Sequence, residues 1–314
     1  MLKLFAYDTE NNELELDGIV SLSYNSEENV PADDLCVRLS VSPSLPELAR
    51  VRLVEDGNAL FTGVVDEQQN CISESEVYTT ITARSLAALL LDNESEPVSY
   101  YYPTSAVIFE RHLKPCGITS YKGYDSFLRD RLNIPKGCTN WHALALYCKR
   151  ALGTVPRVTG DGTVDFMGIQ SKESLVFSSE RGIGYSSVKE NLRRCKPLSD
   201  VLVKLPNSSG YNFDIENTEA KSRKIKRVRY LDVSCGSSAG TADIMISNSE
   251  RSSYEIELIT PERLIGSVGA AAELFDPILG ERKGLLVSSV YYSLSPKGGY
   301  SVIKLRKDKN NVDS

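Results

Sequence analysis

Histidine is nearly absent from this chain of 314 residues: there are two, His112 and His142. No histidine follows position 142. The G-x-S-x-G match at Gly236–Gly240, centred on Ser238, therefore lacks the downstream base that a nucleophile elbow requires. A Gly/Ser loop is the expectation there. Cysteine occurs at seven positions (36, 71, 116, 138, 148, 195 and 235) and never as C-x-x-C. An odd, scattered set reads as reduced thiols made in a cytoplasm rather than as a disulfide framework. Long apolar runs are missing too. The longest strongly apolar stretch, Leu86–Leu91, falls far short of the ~20 residues of a membrane-spanning helix. The opening MLKLFAYDTE has no signal-peptide h-region. Neither G-x-G-x-x-G nor a Walker A sequence occurs, so no nucleotide cradle is indicated.

The chain does have the makings of a core. Apolar residues are 41% and charged residues 25%, which suits about two folded domains at ~150 residues each. The net charge of −6 is unevenly spread. Residues 1–76 hold 16 acidic and 4 basic side chains, whereas the remainder holds 26 acidic and 32 basic. A chain polarised in this way is expected to meet different surfaces with its two parts.

The first ~85 residues read as strands. Leu2–Tyr7, Val20–Tyr24 and Cys36–Val41 alternate, and Arg50–Glu55 meets Ala59–Asp66 across the hairpin signal Asp56-Gly57. Val77–Ala83 is rich in β-branched residues. Closely spaced strands with turn signals suggest a small antiparallel barrel or sandwich. Helical patterns follow. Ser85 is a candidate cap for Leu86–Leu91, and Thr104 or Ser105 for Ala106–Leu113. Tyr124–Leu132 reads as a helix ending before Pro135. Asn140 is a candidate cap for Trp141–Leu152, with Gly153 as the stop. A second hairpin signal spans Pro156–Met167. From about 197 strands return at Val201–Leu205, Lys224–Val233, Ser253–Ile259, Leu285–Ser293 and Tyr300–Leu305. Tyr78, Ile81 and Arg84 recur, with the same offsets, as Tyr300, Ile303 and Arg306. A real repeat would make the chain a barrel, a helical insertion and a second barrel.

Few residues invite chemistry. His112-x-x-x-Cys116 and Cys138-x-x-x-His142 are mirrored zinc-type pairs. Pro115 breaks the first segment, so the plainer reading is two apolar cysteines and two ordinary histidines. Asp161 and Asp165 flank a hairpin tip, where turn chemistry accounts for Asp161. Lys221–Arg229 packs six basic residues into nine and could grip phosphates, but it also suits a solvated strand face or a subunit contact. Tyr100, Tyr101 and Tyr102 form an aromatic run suited to an interface or to a carbohydrate. No catalytic, cofactor or metal residue is assigned.

Several segments, taken in order, resemble one family. These are Leu60-Phe-Thr-Gly-Val-Val-Asp66, Ile81-Thr-Ala-Arg-Ser-Leu-Ala-Ala-Leu-Leu-Leu-Asp-Asn-Glu94, Glu96–Tyr100, Pro115–Ile118 with His112, Trp141…Cys148…Pro156, Gly160–Phe166 and Asn191–Val203. Together they are similar to the baseplate hub proteins of contractile tails, the late control protein D type of prophages and R-type bacteriocins. The likeness runs over about residues 50–205 and more weakly to Arg306. It implies a mainly β fold of two similar antiparallel β-barrel domains, 1–90 and 191–314, with a mostly helical middle domain, 91–190. It also implies a non-enzymatic structural role. A homotrimeric ring would adapt a six-fold tail tube, or its initiator, to a three-fold central spike, with baseplate wedge and tape-measure proteins as further partners. Neither specific nucleic acid nor membrane insertion is implied. The expected location is the bacterial cytoplasm during assembly and then the tail baseplate of a phage or phage-like particle. The chain ends about eight residues after its last expected strand, so a spike is expected to be a separate chain. A tail-associated cell-wall hydrolase and a carbohydrate- or receptor-binding β module are the alternatives.

Overall fold

The computed structural model describes residues 2–40, 45–74, 76–168, 174–233 and 240–308. The chain is mainly antiparallel β with a few short helices, and it divides into two compact units. One holds residues 1–173, 260–270 and 288–302; the other holds 174–259, 271–287 and the residues from Ile303 onward.

In the first unit the strands run, by hydrogen-bonded neighbours, Glu13–Leu16, Leu2–Asp8, Leu48–Glu55, Asn58–Ile72, Val77–Ser85, Asp34–Leu39 and Ile19–Glu27. Every pair is antiparallel. The period-two pattern explains the pairing: Leu35, Val37 and Leu39 are buried while Cys36 and Arg38 are only partly covered. Tyr24 and Phe61 meet edge to face at 6.2 Å inside this layer. Gly63 lies where a Cβ would stand 2.3 Å from the Arg84 carbonyl and 2.6 Å from the Phe61 ring, so no larger residue fits.

The segment after Ser85 folds around its own core. Leu90, Ile108, Leu113, Leu132, Ile134, Leu144, Tyr147 and Phe166 are buried together, with Ala32 and Ala87 in the same cluster. Helical stretches cover Ser105–Cys116 and Asn140–Leu152, each starting as α-helix and loosening into a π-type turn. Gly153, at φ 70°, ends the second as the sequence suggests. The cap there is Thr139, whose hydroxyl accepts from the His142 amide at 3.2 Å; Asn140 is the first helical residue. Thr104 caps the other. Ser85 is no cap. It closes a strand, and its hydroxyl accepts from the Asp33 amide at 3.1 Å.

The expected helix over Tyr124–Leu132 is not formed. Arg131–Ile134 is a strand paired with Val98–Tyr101, with Leu132 and Ile134 inward and Arg131 and Asn133 outward. The period of two in these four residues overrides the apolar spacing upstream.

In the second unit, Ser187–Leu192 pairs antiparallel with Tyr254–Thr260, and Ser174–Ser178 runs parallel to Ala271–Asp276. A three-stranded sheet (Phe213–Glu216, Asp200–Lys204, Val228–Asp232) packs Val201 and Val203 against the helix Gly240–Arg251 through Ala242, Met245 and Ile246. The strand expected over Lys224–Val233 is shorter, because a helical turn, Thr218–Ser222, precedes it. The Tyr/Ile/Arg recurrence falls on two strands, Val77–Ser85 and Gly298–Lys307. Ile81 and Ile303 are both fully buried, while Arg84 pairs with Asp66 and Asp92, and Arg306 with Glu255.

Candidate functional site

Among the described residues, the four zinc-type side chains do not gather. His112 is buried, and its two ring nitrogens are committed: Nδ1 lies 3.0 Å from the Ser95 hydroxyl and 3.2 Å from Asn140 Oδ1, and Nε2 lies 3.0 Å from the Tyr100 hydroxyl. Burial, opposed by the Asn140 hydrogen bond, pulls its pKa below the usual histidine value. Cys116 Sγ takes a hydrogen bond from Asn140 Nδ2 at 3.3 Å, and burial raises its thiol pKa. His142 is exposed. The arrangement is a polar pin holding Tyr100, Ser95 and the second helix together.

Among the described residues, the one cluster with metal-ligand chemistry is Asp200, Asp214 and Glu216, whose oxygens lie within 4.8 Å of one another. A lysine already serves it. Lys221 Nζ lies 2.5 Å from Asp200 and 3.0 Å from Glu216. Burial works against charge on Asp200, yet the Lys221 ammonium and Ser199 hold its pKa below the usual value. This ion pair also disposes of part of the basic tract. Lys221 serves carboxylates, Arg223 is paired with Glu250 at 2.7 Å, and Ile225 points inward, so 221–229 is not one phosphate-facing surface. Asp161 and Asp165 are likewise spent locally. Asp161 accepts from the Thr163 amide at 3.0 Å, and Asp165 accepts from the Met167 amide at 2.9 Å. The Gly236–Gly240 motif lies outside the described residues except for Gly240, which opens a helix.

Two features organise the first unit, one unforeseen in the sequence and one seen there only in its tyrosines. Arg157, on the small hairpin Arg157–Val158/Val164–Asp165, reaches back to the strand layer. Its guanidinium pairs with Asp33 and donates to the Glu27 carbonyl (2.8 Å), the Val30 carbonyl (3.0 Å) and the Ser26 hydroxyl (2.7 Å). Both charged partners are almost fully covered, at 11% and 12% side-chain exposure. Beside this clamp the tip of the same hairpin lies flat on a strand: the Thr62 hydroxyl donates to the Gly160 carbonyl at 2.7 Å, and a Cβ at Gly160 would stand 2.5 Å from the Leu60 oxygen.

The second feature is an aromatic ribbon. The segments Val98–Ser105 and Ser126–Ile134 lie antiparallel, joined by the strand pair, the Thr104–Phe127 bridge and a bond from the Tyr102 amide to the Asp130 carbonyl. Tyr101 (71% exposed), Tyr102 (63%) and Phe127 (50%) project from it. Arg131 lies over the Tyr101 ring and Arg129 over the Phe127 ring, at 5.6 and 5.7 Å from the centroids. Of the Tyr100–Tyr102 run only the last two face outward; Tyr100 serves the His112 pin. The alternation of Arg131, Leu132, Asn133 and Ile134 was the signal that could have revealed the arginine side of this surface.

No protein-family model matches the sequence, and no curated protein matches it closely enough to be a relative. Solved structures do match. A tail protein from Neisseria meningitidis MC58 superimposes with a TM-score of 0.76 at 14% identity, over 98% of this chain and 96% of that one. The 43 kDa tail protein of prophage MuSo2 from Shewanella oneidensis gives 0.77 at 16% identity, over 98% of both chains. A type VI secretion component of E. coli, described as structurally similar to the T4 bacteriophage tail proteins gp27 and gp5, gives 0.56 at 12% identity, over 93% of this chain and 73% of that one. Through nearly its whole length this chain has the fold of phage-type tail proteins.

Proposed function

We propose that the chain is the baseplate hub of a contractile, phage-like tail, a homotrimeric ring that adapts the six-fold tail tube to a three-fold central spike. The observation that carries this reading is the end-to-end fold likeness to two tail proteins, one of them from a prophage. The recurrence of Tyr78, Ile81 and Arg84 as Tyr300, Ile303 and Arg306, each set on a long strand with its isoleucine buried, supports a duplicated barrel. Three chains with two such barrels each would offer six quasi-equivalent positions to a tube and three to a spike. The work is adaptor geometry, without a catalytic step. Its partners are further copies of itself, the tube or tube initiator and the spike, with wedge and tape-measure proteins around them. Its place is the baseplate of a phage or DNA-free particle.

Native mass measurement of assembled tails, or of the chain with its spike, should return three copies. Six copies, or a stable monomer beside the spike, would refute the reading. Clearing of a peptidoglycan zymogram by this chain alone would favour the hydrolase instead. The acidic first 76 residues and the more basic remainder predict that raised salt weakens ring assembly, since contacts between exposed charges are screened.

A further inference from the structure

The aromatic ribbon lies in a basic stretch of an acidic chain. Residues 98–150 contain eight lysines and arginines against three acidic side chains, although the whole chain carries −6. Lys114, Lys122 and Arg150 are neutralised by Glu110, Asp165 and Asp130. Arg129 and Arg131 have no carboxylate partner among the described residues, and both are exposed. They lie instead over Phe127 and Tyr101, within cation–π range.

We propose that this ribbon is a docking surface for an extended acidic segment of another protein. Tyrosine, phenylalanine and arginine are the side chains that anchor protein interfaces, and here they stand together in water. The surface is already ordered. Arg131 donates to Ser99 at 2.9 Å, Ser99 donates to Asn133 at 2.7 Å, and Tyr102, at φ 52°, donates its backbone N–H to the Asp130 carbonyl at 3.3 Å. Little conformational freedom remains to be lost on binding. Two unneutralised guanidiniums select carboxylates on the partner. Nucleic acid is disfavoured by the net negative charge and by a cation count that would engage only about two phosphates. A sugar platform is disfavoured because Arg131 and Arg129 already occupy ring faces that a pyranose would need.

The test uses the full chain and three labelled probes in 0.15 M salt: a 12-residue peptide alternating Glu and Tyr, its Lys–Tyr counterpart, and a 20-nucleotide oligothymidylate. Fluorescence anisotropy should show the acidic peptide binding at least tenfold more tightly than the basic one. Arg129→Glu with Arg131→Glu should weaken it at least tenfold and Tyr101→Ser at least threefold, while Lys297→Glu, in the exposed turn of the last hairpin, changes nothing. Arg129→Gln with Arg131→Gln repeats the test without charge reversal should the first pair fail to fold. Equal affinity for the two peptides, or unchanged binding by the arginine variants, overturns the proposal. Tighter binding of oligothymidylate makes the ribbon a phosphate surface instead. Sedimentation of the arginine variants separates this inference from the hub assignment: loss of the oligomer would make the ribbon a contact between copies and also overturn it.

Discussion

Replacing Arg157 with methionine tests the clamp that joins the small hairpin to the strand layer. The substitution keeps most of the volume but strands the Asp33 carboxylate, two backbone carbonyls and the Ser26 hydroxyl. Removing one partner of a buried ion pair typically costs about 3–5 kcal/mol, because the charge left behind has lost both its water and its counter-charge. Asp33 is predisposed to take a proton: burial already pushes its pKa above the usual carboxylate range, with Arg157 pulling the other way. Once Arg157 is gone, the folded-state pKa rises further above the unfolded one. A carboxyl raised in this way favours the fold below its unfolded pKa and loses that contribution as pH rises. The deficit of Arg157→Met should therefore be largest near pH 8 and shrink toward pH 5. The assay is urea unfolding followed by Trp141, the sole tryptophan, which packs against the core of the same unit. Asp33→Asn and the double variant complete a cycle with a coupling of about 2 kcal/mol or more. A cost below about 1 kcal/mol for Arg157→Met, or strict additivity in the cycle, would show that the clamp is not a coupled buried pair.

Three further outcomes are expected. Gly160→Ala should destabilise the chain by about 1–3 kcal/mol, because the new methyl group meets backbone oxygens rather than a yielding side chain; an unchanged melting temperature would contradict the close approach. His112, with its pKa depressed in the fold, favours folding above its unfolded value of 6.5, and that contribution fades as pH falls through the lower folded value. Urea midpoints should thus decline below pH 6.5, and His112→Gln should flatten that decline. Cys148 is buried with its thiol pKa pushed up to about 12, whereas Cys195 is exposed. Mass-resolved alkylation at pH 8 should mark Cys195 promptly and Cys148 only on unfolding.

Strands with clear alternation, such as Asp34–Leu39 and Tyr254–Thr260, were legible because burial on one face writes a period of two into the residues. The helix Gly240–Arg251 was not. Half of its twelve residues are threonine, serine, asparagine and isoleucine, none a strong helix former, and it stands because Ala242, Met245 and Ile246 cover a three-stranded sheet. Long-range partners were equally hidden. Nothing near Asp33 announces an arginine, and nothing near Tyr101 announces Arg131, since both pairings come from the return path of the chain. Tyr101 and Tyr102 could be seen as a surface feature, and the alternation over Arg131–Ile134 marks Arg131 as outward, but nothing in the sequence sets the two side by side.

The clamp also has a consequence for synthesis. Asp33 and Arg157 are 124 residues apart. At roughly 5–20 residues per second on the ribosome, the carboxylate waits about 6–25 s for its counter-charge to be made. During that interval the early strands can pair, but they cannot bury Asp33 as an ion without the cost of an isolated charge. The nascent sheet is thereby kept wet and open at this point until the hairpin bearing Arg157 arrives. Closure of the first unit becomes a late event, timed by the translation of a hairpin far downstream of its early strands.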